Sequence, residues 1–108
     1  MAGKLSVGAV IVGRAALTFA SDANKTLLES EYDNLFLDFT SGGTTLTATR
    51  NVVVPLTVGR MWLVRNNSPG AQSIQVIGAT GTGITIAPTA TRLVISEGTN
   101  VIAMAAVA

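Results

Sequence analysis

Between Val52 and Val101 the chain is a succession of short apolar runs cut apart by residues that bend the backbone. Val52-Val53-Val54 stops at Pro55, Met61 to Val64 runs into Asn66-Asn67-Ser68-Pro69-Gly70, Ser73 to Ile77 stops at Gly78, and Ile84 to Ile86 and Leu93 to Ile95 follow. Runs this short, rich in β-branched residues and bounded by Gly, Pro and Asn, predict strands and turns. Pro55 cannot donate to a ladder and marks a strand end. Ala15 to Phe19 and Leu35 to Phe39 extend the same reading, and Ser41-Gly42-Gly43 before the Thr-rich stretch 44–49 predicts a hairpin. Only Lys25 to Tyr32, with Asp22 or Asn24 as cap, has helix propensity, enough for about one to two turns. The expectation is an all-β chain, a single small antiparallel β-sandwich or barrel with at most one short helix.

The 108 residues make one domain, 1–108. Charged residues are only 12% of the chain against 48% hydrophobic, where an ordinary soluble domain carries about 25% charged residues. So few charges leave three ways to cover the outside: a membrane, a subunit interface, or a surface solvated by Thr, Ser and Gly. A spanning helix needs about 20 predominantly apolar residues. The best stretch, Leu5 to Gly13, stops at Arg14 and carries two glycines, so no membrane is expected. The same glycines and arginine argue against reading Met1, Lys4 and the apolar residues after them as a cleaved leader. Net charge is +1 and the basic residues are scattered, so no nucleic-acid groove is expected either. With no cysteine and no histidine, disulfides, thiolate or imidazole catalysis and His/Cys metal sites are excluded.

An interface therefore becomes the central expectation. Trp62 and Val64 fall on one face of their strand and Met61 and Leu63 on the other, so neither face suits water; Trp62 fills the core or meets a neighbour. Leu5, Val7 and Ala9 alternate before Val10-Ile11-Val12, which makes 1–14 either an edge strand or an N-terminal arm docking on another subunit. Val101 to Ala108 contains no polar side chain, whereas termini normally turn hydrophilic. Arg50, Arg60, Arg65 and Arg92 stand at strand ends and suit bidentate pairing, with a neighbour's carboxylates or in solvent. The expected subunit contacts are Val7, Val10, Ile11, Val12, Arg60, Trp62, Arg65, Val101, Ile102, Met104 and Val107.

No constellation carries a reaction. Glu29, Glu31 and Asp33 would line one side of an extended strand, as calcium ligands or a glycosidase pair require, but they lack the calcium-loop pattern and sugar-stacking aromatics; a solvated turn or helix end accounts for them. Gly78-Ala79-Thr80-Gly81-Thr82-Gly83 imitates a phosphate loop without its lysine or helix and is read as a β-turn. Thr-Ala-Thr-Arg occurs at 47–50 and again at 89–92, as a duplicated hairpin or by coincidence in a Thr-rich chain. No catalytic residue, cofactor or metal is expected.

The order of these steps resembles a small β-domain of tailed-bacteriophage capsid decoration (cement), head-fibre and tail-fibre proteins. The likeness covers roughly Leu46 to Val101: a Pro-ended strand at Val52 to Pro55, an aromatic strand entering an Asn-rich turn at Arg60 to Gly70, a Gly-x-Gly turn at Gly81-Thr82-Gly83, and a terminal step Glu97-Gly98-Thr99-Asn100-Val101. The chain departs from the pattern at Trp62, where Tyr or Phe is commoner, at Glu97, where Asp is commoner, and at Thr89, where Gly often follows the Pro. The resemblance implies an oligomer, a homotrimer, that acts by binding and not as an enzyme. With no shaft or coiled-coil repeat in the chain, it implies a decoration protein on the outer surface of the capsid, with the major capsid protein and itself as partners. The alternative is a tail, baseplate or fibre component concerned with assembly or with a host-surface glycan.

Overall fold

The computed structural model describes residues 12–104. Within them the elements are β1 (Arg14–Leu17), β2 (Lys25–Thr26), α1 (Glu29–Tyr32), β3 (Phe36–Phe39), β4 (Arg50–Val53), β5 (Met61–Asn66), β6 (Ile74–Ile77), β7 (Ile84–Ile86), β8 (Thr91–Ser96) and β9 (Val101–Ala103). They form two sheets, ordered β1-β3-β5-β8-β9 and β2-β4-β6-β7. The chain is all-β with one turn of helix, and neither sheet closes into a barrel.

The expected antiparallel pairing is corrected over the first six strands. There the chain changes sheet at every connection, so a strand regains its own sheet only one coil later and lies parallel to the last: β1, β3 and β5 in one sheet, β2, β4 and β6 in the other. Parallel neighbours need a crossover of about a dozen or more residues, and here the opposite sheet supplies it. Arg14 stands beside Phe36 and Phe36 beside Leu63, steps of 22 and 27 residues. After β6 the Gly-rich turn 78–83 allows a hairpin, and β6–β7, β5–β8 and β8–β9 are antiparallel.

The hairpin expected at Ser41-Gly42-Gly43 is corrected for the same reason. Residues 40–49 cross from β3 to β4 in the other sheet and form no strand. Their polar groups find single partners in distant loops in place of a ladder: Thr44 N–H donates to the Phe19 carbonyl at 2.8 Å and its hydroxyl to that of Ala20 at 3.1 Å, and Leu46 N–H donates to the Pro69 carbonyl at 3.0 Å. Gly70, at φ +107°, lies so close over Leu46 that a Cβ would meet its backbone, which restricts this position to glycine.

The two sheets share one core. Leu17, Leu37, Phe39, Trp62, Val64, Val94 and Val101 from the first meet Val52, Ile74, Val76 and Ile86 from the second, with Phe19, Leu27, Leu46 and Val54 closing the sides. Phe19 stacks on Phe39 at 5.2 Å between ring centres. Asn66, buried beside this core, is fully bonded: its Nδ2 donates to the carbonyls of Gln72 and Ile86 at 2.9 and 3.0 Å, and its Oδ1 accepts from the Ser68 hydroxyl at 2.6 Å. Asn66 thereby ties the end of β5, the turn after it and β7 to one another.

Candidate functional site

Strand pleating puts alternate residues of each strand on the outside. On the five-stranded sheet the register assembles them into three rows. Met61, Ile95 and Ile102 are mutual neighbours across β5, β8 and β9. Phe36, Leu63 and Leu93 follow, with Met104 beside Leu93 through a backbone bond. Ala16, Asp38, Arg65 and Thr91 make the third. The first row is apolar throughout, the second is apolar from Met104 to Phe36 and ends at Arg14, and Met61, Ile102 and Met104 remain 42%, 42% and 51% exposed.

The charges of this face, Asp38 and Arg65 in the third row and Arg14 at the end of the second, are folded flat. Asp38 points outward yet its side chain is 0% exposed, because Arg65 and Arg14, 45% and 52% exposed, lie across it. Arg65 Nε and Nη2 donate to its two oxygens, both at 2.8 Å, and Arg14 Nε and Nη2 donate to Oδ2 at 2.9 and 2.6 Å. The Arg65 guanidinium also sits 5.6 Å over the Phe36 ring. The bonds from Arg65, reinforced by those from Arg14, outweigh desolvation and hold the Asp38 carboxyl below the usual range. The cluster keeps a net charge of +1 from two arginines and one carboxylate. Because Asp38 is already paired, covering these groups would leave a single uncompensated positive charge.

The other expected arginine contacts are also made within the chain. Arg60 donates to the Tyr32 carbonyl and to Asp33 Oδ1 at 3.0 Å, and its guanidinium lies 5.6 Å from both the Tyr32 and Trp62 ring centres. Trp62 Nε1 donates to the same carbonyl at 2.8 Å. Arg50 Nε pairs with Asp22 at 2.9 Å, and Arg92 is exposed. The Arg50 bond, with those from the Thr47 hydroxyl and N–H, lowers the Asp22 pKa to about 2.

Of the contact residues expected from the sequence, Ile102 and Met104 lie on the apolar rows and Arg65 on the polar one. Trp62 and Val101 are spent in the chain's own core, Arg60 fixes α1, and Val12 is exposed just before β1. Val7, Val10, Ile11 and Val107 lie outside the described residues. Of the 1–14 segment, Arg14 already belongs to β1. Met61, Leu63, Leu93, Ile95 and Phe36 were not among the expected contacts; their alternation with buried neighbours is the signal that finds them, once both strand faces are read as occupied.

The carboxylate ledge does not form. α1 begins at Glu29, so Glu31 turns back to accept the Leu28 N–H at 2.8 Å while Asp33 pairs with Arg60. No group of acidic residues among the described residues could hold a metal ion. The Gly78 to Gly83 loop is a turn between β6 and β7; Thr82 N–H donates to Asn100 Oδ1 at 2.7 Å, and Gly81, at φ +81°, packs against Thr99. The terminal step Glu97 to Val101 locks the same corner, as Glu97 Oε1 accepts from the Asn100 N–H and side-chain amide, both at 3.1 Å. The two Thr-Ala-Thr-Arg copies end in different sheets, at β4 and β8. No helix among the described residues is long and apolar enough to cross a membrane.

Comparison with protein-family models, with curated proteins and with solved structures finds no significant match to this chain.

Proposed function

We propose that this chain is a structural protein of a tailed-bacteriophage particle, a decoration or cement subunit that seats on the outer surface of the mature capsid and stabilises it. The observation that supports the reading is the outer face of the five-stranded sheet: an apolar row at Met61, Ile95 and Ile102 and a second from Met104 to Phe36, bordered by the flattened Arg14–Asp38–Arg65 cluster. The order of turns shared with the phage β-domain supplies the particle context. The chain acts by binding and catalyses nothing.

The mechanism is mechanical. Apolar area buried against the major capsid protein contributes about 25 cal/mol per Å² before ordering costs, and symmetry multiplies that contribution through avidity. Sites that come into register only when the shell expands would confine binding to the mature lattice. Co-sedimentation with expanded and unexpanded empty phage capsids tests this: retention by the expanded shell is expected, and release from both overturns the reading. Binding to host cells without any capsid would move the chain to the alternative, a tail or fibre component.

A further inference from the structure

We infer that the surface which covers the outer face of the five-stranded sheet is apolar with one carboxylate at its border, and that this carboxylate docks on the Arg14–Asp38–Arg65 cluster. The inference rests on the reading that the major capsid protein covers this face, and it names the chemistry that the partner brings.

The apolar part alone is too small to specify a partner. Strands of 4, 4, 6, 6 and 3 residues, at about 4.8 Å spacing and about 3.3 Å rise, give a face of roughly 360 Å². Covering it buries about 700 Å² from both sides, short of the roughly 1,000 Å² of a specific contact. Selectivity and orientation therefore fall to the charged corner, where electrostatic complementarity supplies them.

That corner is cationic and incompletely used. Two guanidinium groups face one carboxylate, and each spends only its Nε and Nη2 on Asp38. Neither Nη1 donates to a described residue, and both arginine side chains are half exposed, open to an acceptor from outside. The chain's other carboxylates lie elsewhere: Asp22 with Arg50, Glu31 with Lys25, Asp33 with Arg60, Glu97 with Asn100, and Glu29 exposed at the start of α1.

A wholly apolar cover would bury one unpaired cation, which is costly. A carboxylate on the cover balances it, and the planar guanidinium is well shaped to receive one. The match is to a charge of +1: a neutral cluster would strand the partner's carboxylate, and a doubly charged one would again strand a cation. Arg14, Asp38 and Arg65 occupy one corner of the face and Met61, Ile95 and Ile102 the row at its opposite end, so the pairing also selects one orientation of docking.

Two dyes that differ by one anionic group test this chemistry on the full chain without a capsid: anilinonaphthalene sulfonate, whose sulfonate stands in for the carboxylate, and its uncharged parent phenylnaphthylamine. In fluorescence titrations Arg14→Gln, which neutralises the cluster while Arg65 still pairs with Asp38, is expected to weaken the sulfonate about 3- to 5-fold and to leave the neutral dye unchanged. Arg14→Lys keeps the charge and is expected to keep the sulfonate affinity. Met61→Gln with Ile102→Gln is expected to weaken both dyes, while circular dichroism and the thermal midpoint show an intact fold. Expanded capsids supply the partner itself: Arg14→Gln is expected to weaken retention about 5-fold or more, and Arg14→Lys to preserve it. Sulfonate binding indifferent to Arg14→Gln, equal losses for both dyes, or no binding of either overturns the inference. So does a wild-type dimer in sedimentation velocity that Met61→Gln with Ile102→Gln abolishes, because a second copy would then occupy the face. Retention by expanded capsids that ignores Arg14→Gln sinks this inference alone. The expected dye pattern without retention by any capsid sinks the particle reading alone.

Discussion

The two sheets solve the shortage of charge in different ways on their outer surfaces. The four-stranded sheet turns Thr26, Asn51, Gln75 and Thr85 outward, with Val53 and Ile77 at its far end, so neutral polar side chains solvate it. The five-stranded sheet turns out Phe36, Met61, Leu63, Leu93, Ile95 and Ile102, and lays its only charges flat. The inner faces are alike in their Val, Leu, Ile and Phe. Equal interiors with unequal exteriors teach that low charge is not one property of this chain: on one sheet neutral polar side chains meet water, and on the other the outward positions are mostly apolar, the feature on which the proposed binding face draws.

The largest test of that division lies within a single strand. Trp62 and Met61 are neighbours in β5, one at 0% exposure in the core and the other outward. Trp62→Ala removes a filled core position and the bond to Tyr32, and is expected to lower stability by about 3–5 kcal/mol in urea unfolding. Met61→Ala is expected to change it by no more than about 0.5–1 kcal/mol. Comparable costs for the two would mean that the outer rows belong to the fold, and the distinction between the sheets would collapse.

A smaller effect separates the buried polar hub from the polar outer surface. Asn66→Ala strands two carbonyls and the Ser68 hydroxyl and is expected to cost about 2–3 kcal/mol. Gln75→Ala, on the outer face of the four-stranded sheet, is expected to stay within about 0.5 kcal/mol. Thermal unfolding of the pair, read beside the wild type, would show whether neutral polar residues on that sheet are solvation and nothing more.

Much of this division was legible in the sequence, and its limits are physical. Strand positions followed from period-two alternation, because burial on one side and exposure on the other act residue by residue. Pairing direction did not follow. A strand carries no local mark of whether its neighbour comes from a hairpin or from a full coil, and coils of 22 and 27 residues leave no fixed repeat to detect. The Thr-rich crossing 44–49 looked like a strand because β-branched residues favour extended backbone whether or not a ladder forms. Trp62, left open between core and contact and included among the expected contacts, lies in the core, whereas its outward neighbours Met61 and Leu63, equally averse to water, were not among those contacts. Thr89 shows the reverse case. The sequence marked it as standing where glycine is usual, and the structure holds it at φ 66°, in the left-handed region. Alternation alone puts Asp38 on the strand face opposite Leu37 and Phe39; nothing in a linear sequence announces that arginines 24 and 27 residues away converge on it.

The smallest expected effect compares one carboxylate from each side of the molecule. Asp38 on the five-stranded sheet is held low by Arg65 and Arg14, and Asp22, bonded to Arg50 of the four-stranded sheet, is held at about 2. An unfolded aspartate titrates near about 3.9. A folded-state pKa below that value adds stability that is complete above about pH 4 and drains away as pH falls towards about 2. Asp22→Asn and Asp38→Asn are each expected to lower stability at pH 7 and to flatten its fall with pH below about 4, for Asp22 down to about 2. For Asp38→Asn the loss at pH 7 is expected to be about 1–2 kcal/mol, because an amide cannot accept from both arginines and leaves two cations adjacent on the sheet. The second measurement is retention of the same variants by expanded capsids at neutral pH. If the flat ion cluster borders the proposed contact, Asp38→Asn raises the charge there from +1 to +2 and weakens retention, while Asp22→Asn leaves it unchanged. Equal responses from both variants would remove the reason for assigning the adhesive role to one sheet and not the other.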